Sequence, residues 1–107
     1  MLPTKITDLL TNLNNATANN EIVWQYNDET TQVAVDLREF IVTISYYFDT
    51  IEEVGSFKIT YYDKTSNKEY FFHTSQLYND YEIARQLFDN AQSSEINIDW
   101  NTVNIQQ

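Results

Sequence analysis

Apolar residues along this chain change period twice. Leu2, Ile6, Leu9, Leu10, Leu13 and Ala16 recur every three or four positions, which predicts a helix over residues 4–18. Thr4 is the expected cap, Asp8 sits early enough to favour the helix dipole, and Asn19 or Asn20 is expected to end the helix in a left-handed conformation. From residue 21 the period becomes two. Ile22, Trp24 and Tyr26 alternate with polar neighbours, then Val33, Val35 and Leu37 do the same after a turn at Asn27-Asp28-Glu29-Thr30. Phe40 to Phe48 is the strongest strand. Phe40, Val42, Ile44, Tyr46 and Phe48 face one way and Ile41, Thr43, Ser45 and Tyr47 the other, so it belongs in the middle of a sheet. A loop over Asp49 to Ser56, containing Gly55, leads to a strand at Phe57–Tyr62. A hairpin turn at residues 63–67 then sends Lys68 to Thr74 back alongside.

Period 3.6 returns with Leu77, Tyr81, Ala84, Leu87, Phe88 and Ala91, which fill an arc of about 120° on a helical wheel. The second helix is expected within residues 76–93, starting near Asp80, with Asn79 and Glu82 as a capping box and Arg85 paired to Asp89. Residues 94–107 read as a tail in which Ile96, Trp100 and Val103 fit a helix and Ile96, Ile98 and Trp100 fit a strand. The order predicts one α+β domain: a helix, a four- to five-stranded antiparallel meander, and a closing helix, with both helices on one face of the sheet.

Some of these positions also carry a likeness. Ile6-Thr7-Asp8-Leu9-Leu10 is followed by Thr17, by Ile22-Val23-Trp24, and by a Tyr78 to Arg85 stretch holding Tyr81 and Ala84. In this the chain resembles small bacterial proteins of unknown function, built as a Leu-rich helix, an Ile-x-Trp strand opening, a meander and a closing helix. The likeness spans residues 4–99 and departs at the Gly usual before Ile-x-Trp, where Asn19 or Asn20 must take the turn. It implies the same fold and leaves function open.

Composition narrows what the fold can do. With 107 residues, eight Tyr, six Phe and two Trp, the chain can bury a core without staples. It has no Cys, which removes disulfides and thiolate chemistry and fits a reducing compartment. Residues 1–8 lack the apolar run of a signal peptide, and no stretch is long enough to span a bilayer, so the expected location is the cytoplasm. Sixteen acidic residues against six basic give a formal charge of −10. That disfavours direct nucleic-acid binding and permits both solubility by self-repulsion and steering toward a basic partner.

Little chemistry remains. His73 is the sole imidazole, with Asp80 the conceivable orienting partner and Thr74 and Ser75 nearby. A strand-end histidine at the surface is the favoured reading. Asp28 with Glu29, and Asp49 with Glu52 and Glu53, match no metal loop, and one glycine cannot build a phosphate cradle. No metal or cofactor is expected.

Aromatics on both faces of neighbouring strands are the remaining signal, either as cross-strand pairs or as an interaction surface. The candidate binding residues are Tyr47, Tyr62 and Phe71 on the less-covered face, rimmed by Asp49, Glu52 and Glu53. A register shift of one residue would reverse that face. The leading expectation is a non-enzymatic domain that binds a protein partner or a second copy of itself. The alternatives are an acidic inhibitor mimicking nucleic acid against a basic enzyme, and a small hydrolase or isomerase built on His73.

Overall fold

The computed structural model describes residues 1–96. Its elements run α1 (Thr4–Ala18), β1 (Gln25–Asn27), β2 (Gln32–Asp36), β3 (Phe40–Asp49), β4 (Val54–Asp63), β5 (Lys68–Ser75) and α2 (Tyr81–Gln92). The expected tail around Ile98, Trp100 and Val103 lies outside the described residues. Among the described residues no helix is long and apolar enough to cross a membrane.

Helix α1 buries the stripe Ile6, Leu10, Leu13 and Thr17, one face of a 3.6-residue repeat. Its cap differs from expectation: Pro3 precedes the first turn, and its carbonyl accepts the N–H groups of Ile6 and Thr7 at 2.9 and 3.0 Å. Pro fixes φ near the value needed to enter a helix, so Thr4 is already helical and caps nothing with its side chain. At the other end Asn20 adopts φ 61°, the Glu21 N–H reaches the Ala16 carbonyl at 2.8 Å, and the Asn20 N–H reaches Thr17 at 3.1 Å. This is a Schellman stop with Asn in the glycine position.

That stop aims the chain so that Trp24 drops into the core, fully buried. Its indole Nε1–H donates to the Thr17 hydroxyl at 2.8 Å, and that hydroxyl donates to the Leu13 carbonyl at 2.7 Å. Strand β1 is therefore shorter than the alternation at Ile22, Trp24 and Tyr26 implies. The Trp24 backbone is held instead by Ser94, whose Oγ accepts its N–H at 2.8 Å while donating its own proton to the Ala91 carbonyl at 2.9 Å.

The five strands form one antiparallel meander in chain order, with β3 in the centre. Pairing puts Val33, Ile44, Ile59 and Phe72 in one row and Val35, Val42, Tyr61 and Tyr70 in the next, all on the face toward the helices. Helix α2 lays Ala84, Leu87, Phe88 and Ala91 on this face, with Phe88 against Phe57 at 5.3 Å and Tyr26 at 6.4 Å between ring centroids. Helix α1 packs beside α2, and the two run parallel. Leu2 meets Asp80 at their starts and Asn14 meets Asn90 at their ends.

Three expectations need correction. Gly55 is not in a loop: the β3–β4 turn is only Thr50–Glu53, and Gly55 is buried in β4. A Cβ there would lie 2.8 Å from the Tyr46 hydroxyl and 3.1 Å from that of Tyr81, so the glycine permits close packing. The left-handed positions go to Asn20, Thr31, Glu53 and Asn67 instead. Second, α2 starts at Tyr81, directly after Asp80 as expected, but Leu77 lies outside the helix and is exposed. Gln76 prolongs the β4–β5 pairing, bonding Gly55 through both its N–H and its Oε1, so the helix cannot begin until a further turn is made. Third, Arg85 pairs with Glu82, with Nε–Oε distances of 3.0 Å, rather than with Asp89 as its main partner.

Candidate functional site

Cross-strand register sorts the remaining side chains onto the second face of the sheet. Tyr47 stands opposite Ser56, Lys58 lies between Ser45 and His73, Thr60 lies between Thr43 and Phe71, and Tyr62 lies between Ile41 and Glu69. Among the described residues no helix packs on this face. Tyr47, Tyr62 and Phe71, picked from alternation alone, thus share one face, and it is the one away from the helices. Phe71 is 58% exposed and Tyr47 41%, while Tyr62 is half-buried with its hydroxyl donating to Asn67 Oδ1.

Two residues join them that alternation did not single out for binding. The Lys58 ammonium sits 4.9 Å from the centre of the Phe71 ring, a cation–π contact, and His73 is beside Lys58 across the β4–β5 pair. Tyr47, Lys58, Phe71 and His73 line a shallow depression of about 370 Å³. The signal for Lys58 and His73 was their parity with Tyr62 and Phe71, which required the register to be known.

The charged rim divides. Asp49 closes the β3–β4 turn, its Oδ1 accepting the N–H groups of Ile51 at 2.9 Å and Glu52 at 3.1 Å. It shapes the turn, while Glu52 and Glu53 project from it. Ile51 at the tip is 90% exposed, an apolar residue in acidic surroundings. The β1–β2 turn emerges at the same end of the meander and carries Asp28 and Glu29. With strands spaced about 4.8 Å apart, the two turns are offset by about 10 Å across the sheet, and they are also staggered along it, since β3 runs on past the Gln32–Ser45 pair to Asp49. No Lys or Arg lies within either turn. The opposite end is mixed: Lys64 bonds Asp36 and the Leu37 carbonyl, and Asp63 stands opposite Lys68.

Asp80 is not the partner of His73. Its carboxylate accepts the Leu2 N–H at 2.6 Å and the hydroxyl of buried Thr74, on the helix side of the sheet. Thr74 and His73 are adjacent in a strand, so their side chains leave by opposite faces. No carboxylate lines the depression beside His73. Among the described residues no three His, Cys, Asp or Glu side chains converge as a metal site.

A second hollow, of about 680 Å³, opens on the helix side between α1 and β4–β5, with Ile6, Leu9, Tyr61, Tyr70 and Phe72 as apolar walls and Lys5, Asp8 and Asp63 at its rim. Burial, then Asp63, Glu39 and Tyr70, push the Tyr61 phenol above its ordinary value. Backbone N–H bonding from Thr65 holds Asp63 below the usual carboxylate range. The hollow exists because α1 rests on α2 and leaves the β4–β5 end uncovered, which no residue pattern along the chain encodes.

No protein-family model matches this chain, and no match was found among curated proteins or solved structures.

Proposed function

We propose that this chain is a non-enzymatic, cytoplasmic protein-binding domain that presents the face bearing Tyr47, Lys58, Phe71, His73 and Tyr62 to a protein partner. The observation carrying this is the exposure of Tyr47 and Phe71 on a sheet face with no helix over it among the described residues. Tyr and Phe supply large contact area at low entropic cost, which is why they dominate interface energetics. Lys58 over Phe71 adds a cation within an acidic protein, a position where a partner's carboxylate finds complement.

Direct nucleic-acid binding is not part of this proposal. A sheet that stacks bases needs several cations, and this face offers Lys58 as its one Lys or Arg among the described residues.

The test uses the full chain as bait beside a Tyr47→Ala/Lys58→Ala variant of equal thermal stability. Proteins retained by the parent and lost from the variant support the proposal. Identical sets of bound proteins from both refute it.

One observation favours a second reading. Asp28, Glu29, Glu52 and Glu53 emerge at a single end of the sheet, in turns that hold no Lys or Arg. Such an end would steer the domain toward a basic surface, as an inhibitor of a nucleic-acid-binding enzyme requires. A partner held at low salt, released at high salt, and lost on converting those four residues to Asn or Gln supports this second reading. Retention of the partner by that neutralised variant counts against it.

A further inference from the structure

The two edges of the sheet are managed differently. In an antiparallel strand, alternate residues send both backbone groups to the same side. At β1 the outward residues are Trp24 and Tyr26, and Ser94 already accepts the Trp24 N–H. At β5 the Gln76 N–H bonds Gly55, so Thr74, Phe72, Tyr70 and Lys68 face β4, while His73, Phe71 and Glu69 face outward. The amino terminus confirms this parity, its ammonium donating to the His73 carbonyl at 3.3 Å. Glu69 and Phe71 have no backbone partner on that side among the described residues. An eight-residue edge carrying exposed Tyr70 and Phe71 is a template for strand addition.

We propose that β5 pairs antiparallel with β5 of a second copy about a twofold axis at Phe71, joining two sheets into one. The side-chain order suits a second copy in this register. With Phe71 opposite its own copy, Glu69 faces His73, Lys68 faces Thr74, and Tyr70 faces Phe72, so no like charges meet and three aromatic rows form across the seam. An axis at Glu69 would set two carboxylates against each other. An axis at His73 would crowd two amino termini together. Phe71 exchanges both backbone bonds with its copy, and the His73 N–H reaches the Glu69 carbonyl. The His73 carbonyl has a second lone pair for the Glu69 N–H beside the one held by Met1. This pairing uses the sheet edge and does not depend on a foreign partner for the open face. Each copy carries −10, so the dimer strengthens as salt screens their repulsion.

Sedimentation velocity on the purified full chain, from micromolar to near-millimolar loading and at low and high salt, tests the proposal. The expected mass rises from 12.7 kDa to twice that, sooner at high salt. Phe71→Pro removes the outward N–H together with the ring, breaks no bond to β4, and should hold the chain at the monomer mass wherever the parent is dimeric. Phe71→Ala keeps that N–H and should weaken the dimer about tenfold without abolishing it. Should the proline variant fail to fold, amide exchange on the parent decides. The Glu69, Phe71 and His73 amides should slow with concentration, and those of Tyr70 and Phe72 should not. A parent chain monomeric at every loading, a dimer unaltered by Phe71→Pro, or concentration-independent exchange at Phe71 overturns the proposal.

Discussion

Replacing Thr17 with Val isolates the interaction that seats the first helix on the sheet. Val keeps the branched shape, so packing against Leu13 and Trp24 is conserved while the hydroxyl is lost. The indole Nε1–H of Trp24 then has no acceptor, in a side chain with no exposed surface. Leaving a buried donor unpaired costs about 1–3 kcal/mol, and Val's slightly greater hydrophobicity offsets little of it. For a domain of this size each kcal/mol moves Tm by about 4–8 °C, so a fall of about 4–20 °C is expected. Thermal and urea unfolding followed by far-ultraviolet circular dichroism would measure it, with unchanged m-values showing that the denatured state is not the cause. The control is Trp24→Phe, which removes the donor. In that background Thr17→Val should cost almost nothing, giving a coupling of about 1 kcal/mol or more. A Thr17→Val variant within about 0.5 kcal/mol of the parent, or additive costs in the double variant, would refute the assignment of this bond as the anchor.

Three further outcomes follow from local geometry. Glu53→Gly should raise stability by about 0.5–1 kcal/mol, since φ 57° strains any residue with a Cβ; an unchanged or lower urea midpoint would contradict this. Asp80→Ala strips the acceptor shared by the Leu2 N–H and the Thr74 hydroxyl, and should cost about 2 kcal/mol with faster amide exchange at Leu2; exchange at Leu2 matching the parent would place the anchor elsewhere. Asp63 and Glu82 both have carboxyls held below their ordinary range, the first by the Thr65 N–H and the second by Arg85. A lowered folded-state value means the contribution is present above the unfolded pKa and is lost as pH falls through the folded one. Stability should therefore decline in the acid range below the ordinary carboxylate values, and Asp63→Asn combined with Glu82→Gln should flatten that limb. An acid limb of equal steepness in the double variant would show that other groups carry it.

Element type and order could be read along the chain because each apolar period is long. The 3.6 pattern in α1 and the period of two in β3 each persist over ten or more residues. Parity did the same for the candidate face: once Val42 and Ile44 are assigned inward, Tyr47 must point outward, and strand pairing carries that choice to Tyr62 and Phe71. What failed were the junctions. A glycine between two apolar strands reads as loop along the chain, whereas Gly55 makes room for Tyr46 and Tyr81, side chains brought there from β3 and α2. Leu77 fits the helix periodicity, but Gln76 extends the sheet past it, and Asp80, at the helix start as its sequence position implies, turns to the amino-terminal segment 78 residues away rather than to His73. Long-range bonds of this kind leave no local trace.

The same limit explains why Lys58 and His73 entered the site only with the register. A lysine beside strand aromatics reads as a solvated charge until the partner strand is known, because its meaning depends on what stands across from it. Pairing places Phe71 one position along from His73, and the Lys58 ammonium then lies over the ring rather than in open water. Removing that charge tests whether the contact orders the face. Lys58→Met keeps the aliphatic stem and loses the cation–π contact, which at exposed sites contributes about 0.5–1 kcal/mol. If the contact holds Phe71 in place, the variant should broaden the Phe71 ring resonances in proton NMR with little change in Tm. If those resonances are unaltered, Phe71 is positioned by the strand alone and the contact does not order the face.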